Sequence, residues 1–278
     1  MQLGIFAKTF AGTDPTQVLL AARAAGYGTV QFNLACAGLP SLPDEIVDPK
    51  ALIARIDAAR VASGVGIAAL SGTYNMAHPD PAVRARGRLA LGHIIDLASA
   101  LNIPLVTLCT GSRHISDQWA HHPDNATPEA WADMAGDMAE ALRRAEAAGI
   151  TLGIEPEQAN VVTSAEDARR LIGEMGSDRL RIVLDPANLF EAADAQRARE
   201  IVARAVDIAA GLTVMAHAKD RHADGRFAAP GRGVVDFADF VARLRASGFD
   251  GAVVTHGLEP EDAPGVARFL APLLAVPA

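Results

Sequence analysis

Four side chains able to bind a metal stand at the ends of short apolar runs: Glu155, Asp185, His217 and His256. Glu155 closes Thr151-Leu152-Gly153-Ile154, the kind of run a strand buried on both faces of a parallel sheet leaves in a sequence. Pro156, which cannot continue a sheet, and a second acid, Glu157, follow it. An unpaired ionised carboxylate is costly in a core, so two acids at a buried strand's end point to a cleft that holds something positive. Two residues apart, they project to one side of extended backbone. Mixed carboxylates and imidazoles suit Mn²⁺, Co²⁺ or Zn²⁺, with Mg²⁺ a further option, better than Ca²⁺. Open positions would then receive substrate oxygens.

Each residue also has a plainer reading. A single strand-end histidine is more often a hydrogen-bonded structural residue, and Asp185 before Pro186 can start a turn. Glu155 resists such a reading, because Leu152 and Ile154 imply burial right up to it. The four fall on successive strands, and that favours a shared cation. Lys219 follows His217 by two and can face the same cleft, where it would meet a substrate hydroxyl, carboxylate or phosphate; an ion pair with Asp220 or another carboxylate is the alternative. His78, Arg113 and Trp119 are further candidates for substrate contact, with structural roles as their alternatives.

The elements that would position these groups follow from apolar runs and caps. Strands are expected over 3–6, 29–32, 65–70, 105–109, 151–155, 181–185, 213–217 and 252–256. Helices fall between them: one capped by Thr13 or Asp14 with Pro15 in its first turn, then 52–61, 81–101 and 128–149, one opening at Ser164, 194–209, one starting near Asp236, and 260–274. The longest loop, 110–127, is rich in histidine and aromatic residues and reads as a lid. Eight strands alternating with eight helices, without a break in composition, predict one α/β domain over 1–278, a single (β/α)₈ barrel. In such a barrel chemistry gathers where the strands end.

Composition narrows the function. The chain has 278 residues and a net charge of −8, so a nucleic-acid backbone is a poor partner and a small metabolite a better one. Cys36 and Cys109 cannot make a disulfide framework. Neither a signal-like leader nor a bilayer-length apolar run is visible, so a cytoplasmic protein away from membranes is expected, with self-association into a homo-oligomer left open.

Further motifs carry a resemblance over nearly the whole chain: Asn75-Met76-Ala77-His78-Pro79-Asp80, Gly153-Ile154-Glu155-Pro156, Leu184-Asp185-Pro186-Ala187-Asn188, His217-Ala218-Lys219-Asp220, Gly231-Arg232-Gly233-Val234-Val235-Asp236-Phe237 and Gly248-Phe249-Asp250-Gly251. The sequence resembles the xylose isomerase-like barrels grouped as sugar phosphate isomerases and epimerases. The resemblance implies that Glu155, Asp185 and His217 are metal ligands. It also implies a fourth ligand at position 256, where relatives usually carry glutamate and this chain has His256. Asn188 stands where many relatives place a substrate-contacting histidine.

The implied chemistry is proton abstraction beside the carbonyl of a sugar, polyol or related compound, with a divalent ion stabilising the enediolate. Glu155 would be ligand and first base. Glu157 is the better second proton donor and His256 the other, since ligation would occupy one imidazole nitrogen. Proton return would isomerise or epimerise, whereas loss of a β-hydroxyl would make a lyase such as an inosose dehydratase. A non-catalytic metabolite-binding barrel is the third class.

Overall fold

The computed structural model describes residues 1–275. Eight strands form a closed parallel barrel: β1 (Gln2–Phe6), β2 (Thr29–Phe32), β3 (Gly66–Ser71), β4 (Leu105–Leu108), β5 (Thr151–Ile154), β6 (Leu180–Leu184), β7 (Thr213–Ala218) and β10 (Ala252–Thr255). Around the barrel the order is β1-β10-β7-β6-β5-β4-β3-β2, so each strand lies beside its chain neighbours and β10 closes onto β1. The helices α1 (Pro15–Ala24), α2 (Pro49–Ser63), α3 (Pro81–Ala100), α4 (Pro128–Ala148), α5 (Ala165–Met175), α6 (Ala195–Ile208), α7 (Phe237–Ala246) and α8 (Ala263–Leu274) follow the strands in turn. Together with the strands they make the expected (β/α)₈ barrel.

Local chemistry sets the helix starts. Asp14, Asp48, Asp80 and Thr127 each accept a hydrogen bond from a first-turn amide, and each precedes a proline that needs no donor there. Asp14, not Thr13, caps α1, and the Asp48-Pro49 signal starts α2 three residues before its first buried residue, Leu52. An antiparallel hairpin of β8 (Asp220–Arg221) and β9 (Phe227–Ala228) departs from the expected plan. Two-residue strands leave no periodicity for a sequence to show.

The barrel interior is layered, and this layering creates the site. Ala69, Leu105, Val183, Met215, Ala252 and Val254 form a buried apolar plug. Two residues further along the same strands, on the same face, come Ser71, Thr107, Asp185, His217 and, beyond Val254, His256. Gly153 and Glu155 repeat the step on β5, where a Cβ on Gly153 would stand 2.7 Å from Val183 Cγ2. The plug therefore supports a polar layer at the carboxyl ends of the strands, the usual place for chemistry in this architecture.

Candidate metal centre and substrate chamber

Glu155, Asp185 and His217 follow or end β5, β6 and β7, three adjacent strands. Each offers one ligand atom, and these atoms lie within 4.8 Å of one another. His217 Nδ1 is 3.1 Å from Glu155 Oε1 and 3.8 Å from Asp185 Oδ2. Asp185 is 1% exposed. Its Oδ1 accepts from the Ala187 amide, while Oδ2 is buried without a hydrogen-bond partner. A buried acceptor without a donor is costly. An orphaned carboxylate oxygen beside a second carboxylate and an imidazole fits a divalent cation.

The electrostatics of the cluster agree with that fit. Burial pushes Asp185 up to about 6; nearby Lys219 opposes the rise and Glu155 adds to it. Burial would also raise Glu155, but the charge on His217 and its hydrogen bond prevail and bring it down to about 2. His217 is raised, its burial overcome by the Glu155 carboxylate. Two carboxylates held around one imidazole thus take up positive charge wherever they can find it.

His256, expected as the fourth ligand, lies outside this donor group. Its ring stacks between Phe6, at 4.9 Å between centroids, and His217, at 5.5 Å. Burial and the neighbouring His217 charge take it down to about 3, so it is a neutral imidazole, and its buried Nδ1 has no partner.

A chamber of about 470 Å³ opens over the cluster, a size that suits one small metabolite. Of the other expected residues, Glu157, Asn188, Lys219 and Trp119 line it. Asn188 Nδ2 donates to Glu155 Oε1 at 2.7 Å, and Asn188 Oδ1 accepts from Lys219 Nζ at 2.8 Å. The Lys219 ammonium also lies 3.6 Å from the centre of the Phe227 ring, which the unforeseen hairpin brings to the chamber. Burial, then Glu155, push Glu157 up to about 7, with Lys219 opposing. Trp119 is half exposed at the rim.

Two residues expected to touch substrate do not line this chamber. Arg113 Nη1 donates to Asp133 Oδ2 at 2.7 Å and to the Ala77 carbonyl at 3.2 Å, so it ties its loop to α4. His78 Nε2 lies 3.0 Å from the Ile115 carbonyl, and its Nδ1 accepts from the Asp80 amide. Both are used up by local backbone and side-chain partners. Lys219 is not paired with Asp220, whose oxygens are occupied by the amides of Arg221, Gly231, Gly233 and Val235.

Gln31 is the site residue that reading strand ends alone overlooks. It lies inside β2 and lines the chamber, with its Oε1 2.8 Å from His217 Nε2. Its signal is visible in hindsight: a long polar side chain in the middle of a four-residue strand buried throughout.

The sequence profile of the xylose isomerase-like TIM barrel matches residues 19–272. The chain belongs to that family. No curated protein matches the sequence. Among solved structures, an L-ribulose 3-epimerase is similar at 22% identity, TM-score 0.74, over 98% of this chain and 94% of that one. The E. coli 3-keto-D-glucoside 4-epimerase YcjR is similar at 18% identity, TM-score 0.75, over 98% of each chain. A D-tagatose 3-epimerase-like protein gives a TM-score of 0.78 at 16% identity, over 99% of this chain and 97% of that one. At these identities the likeness is one of fold. No helix among the described residues is long and apolar enough to cross a membrane.

Proposed function

We propose that the protein is a divalent-metal-dependent isomerase or epimerase of a sugar, polyol or related hydroxy-carbonyl compound. The observation that carries this reading is the convergence of the Glu155, Asp185 and His217 donors on one buried point, with Asp185 Oδ2 unpaired. The family and the sugar epimerases sharing its fold lend support. Glu155, Asp185 and His217 would hold the ion, with Mn²⁺, Co²⁺ or Zn²⁺ preferred to Mg²⁺ by the donor set. A divalent ion bound there would supply Lewis acidity toward a substrate carbonyl.

The chain's own groups supply the rest. Glu155 Oε1 is held by the Asn188 amide and faces His217 Nδ1 within the donor cluster, whereas Oε2 has only the weakly donating Cys109 thiol at 3.9 Å. Oε2 is therefore the oxygen left to receive a substrate proton, with Glu155 as first base. Glu157 shares the chamber and is the second proton-transfer group, with the neutral His256 as its alternate. Lys219 offers its ammonium to a substrate oxygen while Asn188 and Phe227 hold it in place, and Trp119 covers the mouth.

His256 at the usual glutamate position favours one second reading. With an imidazole there instead of a second carboxylate, Glu157, raised to about 7, can protonate a departing β-hydroxyl, which would make the protein a lyase. Incubating the metal-loaded protein with ketoses and inososes in D₂O separates the two: deuterium enters without loss of water in an isomerase or epimerase, and dehydrated product forms in a lyase. If purified protein contains no metal and takes none up, both readings fail in favour of a metabolite-binding barrel. The acidic chain with these polar chamber walls is read as a cytoplasmic enzyme of small-molecule metabolism.

A further inference from the structure

We infer that Gln31 is a positioning residue: it fixes which nitrogen of His217 faces the cation. The inference rests on the metal reading above and adds a part of the site that lies away from the donors themselves. Gln31 is on β2, and two strands, β1 and β10, separate it from His217 on β7 around the barrel wall. The side chain crosses the interior, 5% exposed, to place Oε1 2.8 Å from His217 Nε2. Its amide end is held from the opposite side, where Nε2 donates to Ser71 Oγ at 3.1 Å and to Thr107 Oγ1 at 3.0 Å.

That anchorage decides the direction of the amide. Thr107 Oγ1 points its own proton at the Leu70 carbonyl, at 3.5 Å, and so is left to accept from Gln31. Ser71, with a freely turning hydroxyl, fits the same arrangement. With its NH₂ group facing the two hydroxyls, Gln31 presents a carbonyl oxygen to His217. A carbonyl can only accept, so Nε2 must carry a proton. A neutral His217 then has its lone pair on Nδ1, the nitrogen beside Glu155 Oε1 and Asp185 Oδ2. In the opposite orientation the proton would move to Nδ1 and occupy the point where the three donors meet. Metal-binding histidines generally need such an outer partner, and losing it lowers metal affinity roughly 10–100-fold.

The test compares wild type, Gln31→Met and Gln31→Glu by competition of Zn²⁺ against a chromophoric chelator. Gln31→Met keeps the length but removes the acceptor, and Gln31→Glu keeps an acceptor at the same place. The inference predicts a roughly 10–100-fold weaker site in Gln31→Met and recovery to within a few-fold of wild type in Gln31→Glu. Histidine ¹⁵N spectra of Zn²⁺-loaded wild type supply a second readout: His217 Nε2 should be protonated and Nδ1 metal-bound. Circular dichroism and melting of the metal-stripped proteins report folding, and if Gln31→Met does not fold, the ¹⁵N assignment decides alone. Equal affinity in a folded Gln31→Met, or Zn²⁺ on Nε2, overturns the inference and leaves the metal reading intact. Absence of Zn²⁺ uptake by wild type overturns both.

Discussion

At the scale of single residues, Asp185 is where the claim of a metal is most exposed to test. One of its oxygens is sealed from water with no donor, so its charge is tolerated only if a cation joins it. Asp185→Asn should therefore have opposite effects on two measurements. Metal affinity, by isothermal titration, should fall by more than the roughly 100-fold that bounds outer-sphere changes. The melting point of metal-stripped protein should hold or rise, since the substitution removes a buried charge that repels Glu155. A second prediction concerns Glu157, which lines the chamber but lies outside the donor group. Glu157→Gln should keep metal affinity within a few-fold while lowering turnover of an identified substrate by about 10²–10⁴-fold, the usual worth of a general acid or base. Turnover at the parent rate would leave His256 to take that role.

At the scale of elements, the loop after β7 shows how a motif can be structural and still serve the site. Asp220, fully buried, gathers the amides of Arg221, Gly231, Gly233 and Val235 on its two oxygens. A Cβ on Gly233 would collide with the Arg221 carbonyl and with Asp220 itself, so that position must be glycine. The His-x-Lys-Asp and Gly-x-Gly motifs thus lock together and set the hairpin that brings Phe227 beside Lys219. Asp220→Ala would leave several amides without an acceptor, and urea unfolding should show a loss of at least about 3 kcal/mol. The sequence made the barrel strands readable because each is an apolar run bounded by caps and glycines. Glu155, Asp185 and His217 were readable because a charged or imidazole group at the end of such a run has no place in a core. Gln31 was hidden by position: it sits inside its strand, and its role depends on a partner 186 residues away across the barrel. The local partners of Arg113 and His78 were hidden for a related reason. Their loops carry the right chemistry, but Asp133 and backbone carbonyls satisfy them first, and nothing in a linear pattern shows that competition.

At the scale of the whole molecule, the fold separates rigidity from chemistry. The apolar plug fills the lower barrel, and the polar layer above it takes its geometry from the plug. Away from the chamber, a buried charge network joins α3 to α4: Asp137 accepts from Tyr74 Oη at 3.0 Å, is paired closely with Arg88, and has Arg84 at 3.7 Å. Removing one member of such a network leaves buried charge uncompensated, typically about 3–5 kcal/mol. Asp137→Ala should therefore lower the melting temperature by roughly 6–20 °C while Zn²⁺ affinity, measured below the transition, stays that of wild type. A parallel loss of affinity would mean that the site and the outer helices are mechanically coupled. The most direct measurement for the molecule as a whole is an anomalous-scattering map from a crystal soaked in Mn²⁺. A single peak within bonding distance, roughly 2.0–2.3 Å, of Glu155, Asp185 and His217 Nδ1 is the predicted result. A peak elsewhere, or no peak with those three side chains arranged as described, would contradict it.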